Sequence, residues 1–179
     1  MRRLEGQGLI ELAHGRSATV VPLSAEDITG IYGLRRMIEP ELAARSVPGH
    51  GEADLRLLRS HIDDFENTDS EVVWQAHQDF HLRLVRPAAS AWDLRTLDQL
   101  WAAAERYTRL VYDFAEIART ERTRRERIHS TILDAVQSGD AHATRQAVDD
   151  HLRHNEEEMV ERIEGLDPHR RDVGAQDSA

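Results

Sequence analysis

Apolar residues recur along this chain at spacings of three and four from about residue 25 to about residue 163, the period of helices that bury one face. Ile28, Ile31, Arg35, Ile38 and Leu42 stripe a first helix over about 25–46. Ser24 is its N-cap, Asp27 its third position, and Val47-Pro48-Gly49 its end. Leu55, Leu58, Ile62 and Phe65 stripe a second over about 51–66, closed by Asn67-Thr68-Asp69. Val73, Trp74, His77, Phe80, His81, Leu84 and Val85 form the stripe of a third, over about 70–86, which stops at Pro87. Leu94, Leu97, Trp101, Ala104, Thr108 and Val111 predict a long fourth helix over about 90–115. Ile128, Ile132, Ala135 and Val136 mark a fifth that ends at Ser138-Gly139, and Asp140 caps a sixth running to about Ile163. Amphipathic helices joined by short loops predict an all-α, antiparallel helical bundle of about six helices. There is no internal repeat.

The opening residues follow a different pattern. Leu9-Ile10-Glu11-Leu12-Ala13 and Ala18-Thr19-Val20-Val21 are β-prone runs around His14-Gly15-Arg16-Ser17, which reads as a hairpin. Met1-Arg2-Arg3-Leu4-Glu5 reads as the tail of a helix ending at Gly6 or Gly8. A lone hairpin of this size is not stable in water, so it is the remnant of a larger module or packs on the helices. Pro22 and Ser24 mark the boundary, and the polar stretch after Gly165, with Pro168, reads as a loose tail. The expected division is thus about 1–22, about 23–165 and about 166–179.

Composition narrows the class. The 179 residues are 40% hydrophobic and 31% charged, as in a soluble globular protein. No run approaches the roughly 20 apolar residues that span a bilayer, and the first residues lack the apolar core of a signal peptide, so a cytoplasmic location is expected. There is no cysteine, which leaves His, Asp and Glu as the available metal ligands. All 23 basic residues are arginine, a uniformity that points to coding bias and lowers the weight of any single one. A net charge of -10 argues against the bulk of the chain gripping a phosphate backbone.

The chemistry lies in the histidines. His77 and His81 sit one turn apart on the inward stripe of the third helix, whereas Asp79 is turned about 200° from either. Burying imidazoles for packing alone is costly, because each ring nitrogen needs a partner. His129 lies with Ile132, Leu133 and Val136 on the apolar face of the fifth helix, and His151 with Val148, Leu152 and Asn155 on the sixth. His14, His50, His61, His142 and His169 fall in loops or on polar faces, and His154 is an ambiguous neighbour of His151. Four inward histidines on three helices predict a metal site, and imidazole-only ligation suits Zn²⁺, Ni²⁺ or Cu²⁺. Arg35, inside an apolar stripe, forks onto a ligand carboxylate, pairs with Glu39 at i+4, or snorkels to water. The run Arg119 to Arg127, dense in both signs, reads as a solvated helix start, and Glu156-Glu157-Glu158 as a polar face. Trp74, Trp92, Trp101, Tyr107 and Tyr112 read mostly as core, with Trp74 or Tyr107 able to wall a pocket. A histidine site with open positions could also activate water, the metalloenzyme alternative acting on a small organic acid. Against it, no inward carboxylate stands near the histidines in the sequence pattern, and no nucleophile motif appears.

His77-Gln78-Asp79-Phe80-His81, then His129-Ser130-Thr131-Ile132-Leu133-Asp134-Ala135 with Gly139-Asp140, then His151-Leu152 resemble the ligand-binding FCD domain of GntR-type transcription regulators of the FadR subfamily. Leu34-Arg35-Arg36-Met37-Ile38-Glu39 resembles the start of that domain's first helix. Leu4-Glu5, Gly8-Leu9-Ile10-Glu11 and Gly15 through Val21 resemble the last turn of a recognition helix and its winged hairpin. The resemblance implies a non-enzymatic sensor: a homodimer that binds a divalent metal, zinc foremost and nickel second, and a small carboxylate effector that modulates DNA binding. In metal-binding members an aspartate and three histidines hold the ion. His81, His129 and His151 fall in the three histidine places, and His77 stands where the aspartate would be. Of the winged helix-turn-helix only the end is present, which makes Arg2, Arg3 and Arg16 the candidate phosphate contacts of a truncated head.

Overall fold

The computed structural model describes residues 10–12, 18–20, 24–111 and 119–166. The expected helix tail with Arg2 and Arg3, the hairpin turn with Arg16, Tyr112 and the segment after Leu166 lie outside the described residues. Strands β1 (Ile10–Leu12) and β2 (Ala18–Val20) pair antiparallel, with Ile10 opposite Val20 and Leu12 opposite Ala18.

Six helices follow among the described residues: α1 (Ala25–Ser46), α2 (Glu52–Asp63), α3 (Ser70–Val85), α4 (Ala91–Val111), α5 (Arg119–Gln137) and α6 (Ala141–Leu166). Their ends are set by local chemistry. Ser24 Oγ accepts the Asp27 amide at 3.0 Å and Asp69 accepts that of Glu71 at 2.9 Å, satisfying donors that the first helical turns leave open. A single 3-10 turn, Asp64–Glu66, extends α2 and seats Phe65 in the core. At the α5–α6 junction the Gly139 amide bonds to Val136 O at 3.0 Å and that of Asp140 to Ala135 O at 3.3 Å, the two bonds of a Schellman motif. This closure needs the left-handed backbone of Gly139, φ 74°. Asp140 then caps α6 through Ala143 N at 2.9 Å. Gly139→Ala, whose methyl would meet open space, is therefore expected to cost about 1–2 kcal/mol in backbone strain alone. A thermal melt should read this as a drop of about 2–8 °C.

The helices pack as a bundle: α1 against α6, α4 and α3, α2 against α3 and α5, and α5 against α6. Leu58, Ile62, Phe65, Phe80, Leu84, Leu97, Ile132, Leu133 and Leu152 interlock between them, all essentially solvent-free. Ser46 fastens the end of α1 to the turn after α3, donating to Val85 O at 2.9 Å and accepting from Ala88 N at 3.1 Å. One expected core aromatic is not there. Trp92 is 73% exposed, with the Arg95 guanidinium stacked 3.9 Å from its ring centre. It lies two residues before Leu94, about 200° round the helix, and so on the face away from the core. Trp74 and Tyr107 are buried and Trp101 is half-buried. Besides Ser46 and Thr144, the buried polar side chains among the described residues are Arg35, Glu39, His81, His129 and His151.

Candidate metal centre

Three helices bring four imidazoles together. His77 and His81 project from α3, His129 from α5 and His151 from α6, and one donor nitrogen from each lies within 4.8 Å of every other. His81 Nε2 and His151 Nε2 are 3.3 Å apart. Ring centres are 4.7 Å apart for His77 and His81, and 4.6 Å for His129 and His151. Phe65 and Phe80 pack T-shaped against the His129 ring, centres 4.7 and 5.0 Å away, and make that side of the cluster apolar. His77 alone is partly exposed, at the cluster's open side.

For His129 the nitrogen that faces away from the cluster fixes the tautomer. His129 Nδ1 lies 2.8 Å from Arg125 O and, as donor to that carbonyl, leaves Nε2 bare; Nε2 is buried and has no hydrogen-bond partner among the described residues. Burial pushes the pKa values of His77, His129 and His151 well below the usual histidine range, and the charge of neighbouring rings pushes the same way. All three are thus neutral, with lone pairs available. Zn–N bonds of about 2.0–2.1 Å put tetrahedral ligand nitrogens roughly 3.3–3.4 Å apart. The His81–His151 pair already has that spacing, and the wider pairs need the rings to close in by no more than about 1.5 Å. A nitrogen-only donor set with an orphaned inward lone pair fits a borderline divalent ion.

Sequence reasoning missed one member of this neighbourhood and misjudged others. A carboxylate does stand beside the histidines: Glu39, from α1, is fully buried, and its Oε2 is 3.2 Å from His81 Nδ1. Its Oε1 accepts from Arg35 Nε at 2.6 Å and from Trp101 Nε1 at 2.9 Å. Burial alone would push the Glu39 carboxyl up; the Arg35 guanidinium and the His81 ring outweigh it and hold the pKa at about 2. Helical period showed that Arg35 faced inward with Glu39 one turn on, but not that α3 would supply a histidine opposite them. Asp79 and His154 stand outside the cluster, and His154 Nε2 lies 4.0 Å from Glu158.

The arginine-rich start of α5 and the acidic stretch of α6 are not simply solvated. Arg124 pairs with Glu158 at 3.2 Å, and both line a cavity of about 640 Å³, counting its open mouth, whose walls also carry His77, His129 and His151. Arg125, Thr108, Asn155 and Trp74 line it too. Arg124 and Glu158 thus pair across α5 and α6 at the cavity wall. A smaller recess beside it, walled by Arg35, Trp101, His77 and His81, shares Tyr32, Trp74 and Thr108 with the first. Tyr107 walls neither.

The family model for the FCD domain matches residues 30–154 of this helical bundle. The chain belongs to the FCD domain family, as found in GntR-type transcription regulators. It is 30% identical over 117 residues to a curated relative, the uncharacterized HTH-type transcriptional regulator BphR of Paraburkholderia xenovorans strain LB400, covering 60% of this chain and 48% of that one. The chain thus spans about half the length of that relative. Among solved structures it resembles a GntR family regulator from Pseudomonas syringae pv. tomato DC3000, with TM-score 0.68, 23% identity, and 92% and 69% of the two chains covered. E. coli McbR/YncC gives TM-score 0.78 at 17% identity, covering 89% of this chain and 81% of that one. The metal-free FCD domain of TM0439 gives 0.64 at 16% identity, covering 81% of this chain and 99% of that one. At these identities the structural likeness is one of fold. No described helix is long and apolar enough to cross a membrane.

Proposed function

We propose that this chain is the effector-sensing part of a bacterial GntR/FadR-type regulator, in which His77, His81, His129 and His151 hold a divalent ion, zinc foremost and nickel second. The observation that carries this reading is the convergence of four buried or half-buried imidazole nitrogens within 4.8 Å, below an open cavity, in an FCD domain. When bound, the ion supplies a positive centre to which a small carboxylate is drawn. The chain's own residues do the rest. Arg124, Arg125, Thr108 and Asn155 offer polar contacts in the cavity, and Arg35, whose Nε side is committed to Glu39, adds positive charge at the recess.

On this reading the protein is a cytoplasmic homodimer. A ligand that binds one helix arrangement better than another shifts the balance between them and repositions DNA-reading heads. The residues before about 23 belong to a winged helix-turn-helix, with Arg2, Arg3 and Arg16 contacting phosphates. The domain between them is a sensor and not an enzyme. The buried Glu39 does not restore the metalloenzyme reading, because both its oxygens are committed to Arg35, Trp101 and His81.

Small mono- and dicarboxylates screened against the zinc-loaded and metal-free protein test this. A subset should raise the melting temperature of the loaded protein only, and remain unconsumed by chromatography. Consumption of an acid by the loaded protein decides for the enzyme, and equal shifts with and without zinc detach effector binding from the ion.

A further inference from the structure

We propose that Glu39, clamped by Arg35 and Trp101, holds the His81 imidazole in its Nδ1–H tautomer and so directs the Nε2 lone pair into the histidine cluster. This makes Glu39 a positioning residue of the metal centre, and the inference rests on the metal reading given above. A buried Arg–Glu pair is by itself unremarkable in a helical bundle; the way the carboxylate is divided between its partners is what assigns the role. Oε1 takes the short bond from Arg35 Nε, 2.6 Å, and the indole N–H of Trp101, 2.9 Å. Oε2 is left with a long contact to Arg35 Nη2, 3.4 Å, and with His81 Nδ1 at 3.2 Å. The ring N–H is turned off the line of a straight hydrogen bond, so the link is an electrostatic one across a short gap.

His81 is therefore spanned: one nitrogen faces a fixed carboxylate, and the opposite one lies 3.3 Å from His151 Nε2 inside the cluster. His129 is arranged the same way, with the Arg125 carbonyl at its outer nitrogen. A carboxylate in that position does two things a carbonyl does less well: it fixes which nitrogen carries the proton and makes the other a stronger donor. It also answers a charge problem. Four neutral imidazoles bring no negative charge to a divalent ion, and Glu39 is the carboxylate that stands against one of them. Arg35 and Trp101 hold it at one remove, with its charge balanced by the guanidinium until an ion arrives.

Two measurements test this. In the metal-free wild type, nitrogen-detected histidine NMR, with His81 assigned through His81→Gln, should show the proton on Nδ1. A proton on Nε2 overturns the proposal, and this needs no variant to fold. Zinc affinity is then compared by chelator competition across wild type, Glu39→Gln and the double variant Arg35→Met/Glu39→Gln. The double variant removes both buried charges together, a change that bundles tolerate better than stranding one of them. Both variants should bind zinc about 10–100-fold more weakly than wild type with unchanged helical content. Glu39→Gln should also populate both His81 tautomers, which a purely structural ion pair gives no reason to expect. Zinc bound by the folded double variant within about threefold of wild type overturns this inference alone. Zinc refused by the wild type overturns the metal reading, and this inference falls with it.

Discussion

Zinc at about a thousand times its dissociation constant is expected to stabilise the metal-free protein by about 4 kcal/mol, raising its melting temperature by about 8–16 °C. The size of the effect follows from the site being formed only in the folded chain. His77 and His81 are neighbours on one helix, but His129 and His151 reach them only when α5 and α6 pack. Binding energy is therefore folding energy. His81→Ala and His129→Ala each delete one of four nitrogen donors and should abolish most of the shift. A chelator should return the loaded wild type to its metal-free midpoint. An equal zinc shift in wild type and both variants would place the ion elsewhere on the protein, among its surface carboxylates.

The sequence pattern made much of this legible, and the exceptions have physical causes. The ends of α1 and α3 could be read because Ser24, Val47-Pro48 and Pro87 punctuate them chemically, whatever the tertiary context. The inward direction of His77, His81, His129 and His151 followed from period alone, since each shares a stripe with Phe, Leu, Ile or Val. What period cannot give is which stripe faces which. Glu39 looked like half of an intrahelical pair with Arg35, and that pair exists; its other partners, His81 and Trp101, come from helices about 40 and about 60 residues later. Arg124, Arg125 and Glu158 looked solvated because interleaved charge usually is, yet all three line a cavity. Trp92 shows the converse error, where residue type outweighed a helical angle that already pointed outward.

Acid should destabilise the metal-free protein well before its surface carboxylates titrate. His77, His129 and His151 are held neutral in the folded chain, with pKa values pushed well below 6.5 by burial and then by neighbouring charge. The unfolded chain binds their protons near pH 6.5 and the folded chain does not, so stability rises with pH across the window from the lowered folded values up to about 6.5. Three such groups give a slope of up to roughly 4 kcal/mol per pH unit below pH 6.5, and almost none above it. Glu39 adds a second loss with the same sign, spread between 4.5 and about 2, where its folded carboxyl finally protonates. Urea midpoints between pH 5 and 8 would show this as a steep fall on the acid side and a plateau above neutrality. A flat profile through pH 6 would mean that the rings are hydrated and protonate as freely as in the unfolded chain. Replacing His129 with leucine should flatten the profile by about one proton's share.

The central claim is that four imidazoles from three helices meet at one ion, and zinc-edge X-ray absorption of the stoichiometrically loaded protein measures it most directly. The arrangement described here predicts a first shell of nitrogen and oxygen scatterers at about 2.0–2.1 Å with imidazole outer-shell features, weakened in His129→Ala. A spectrum without imidazole features, or one that His129→Ala leaves unchanged, would contradict it.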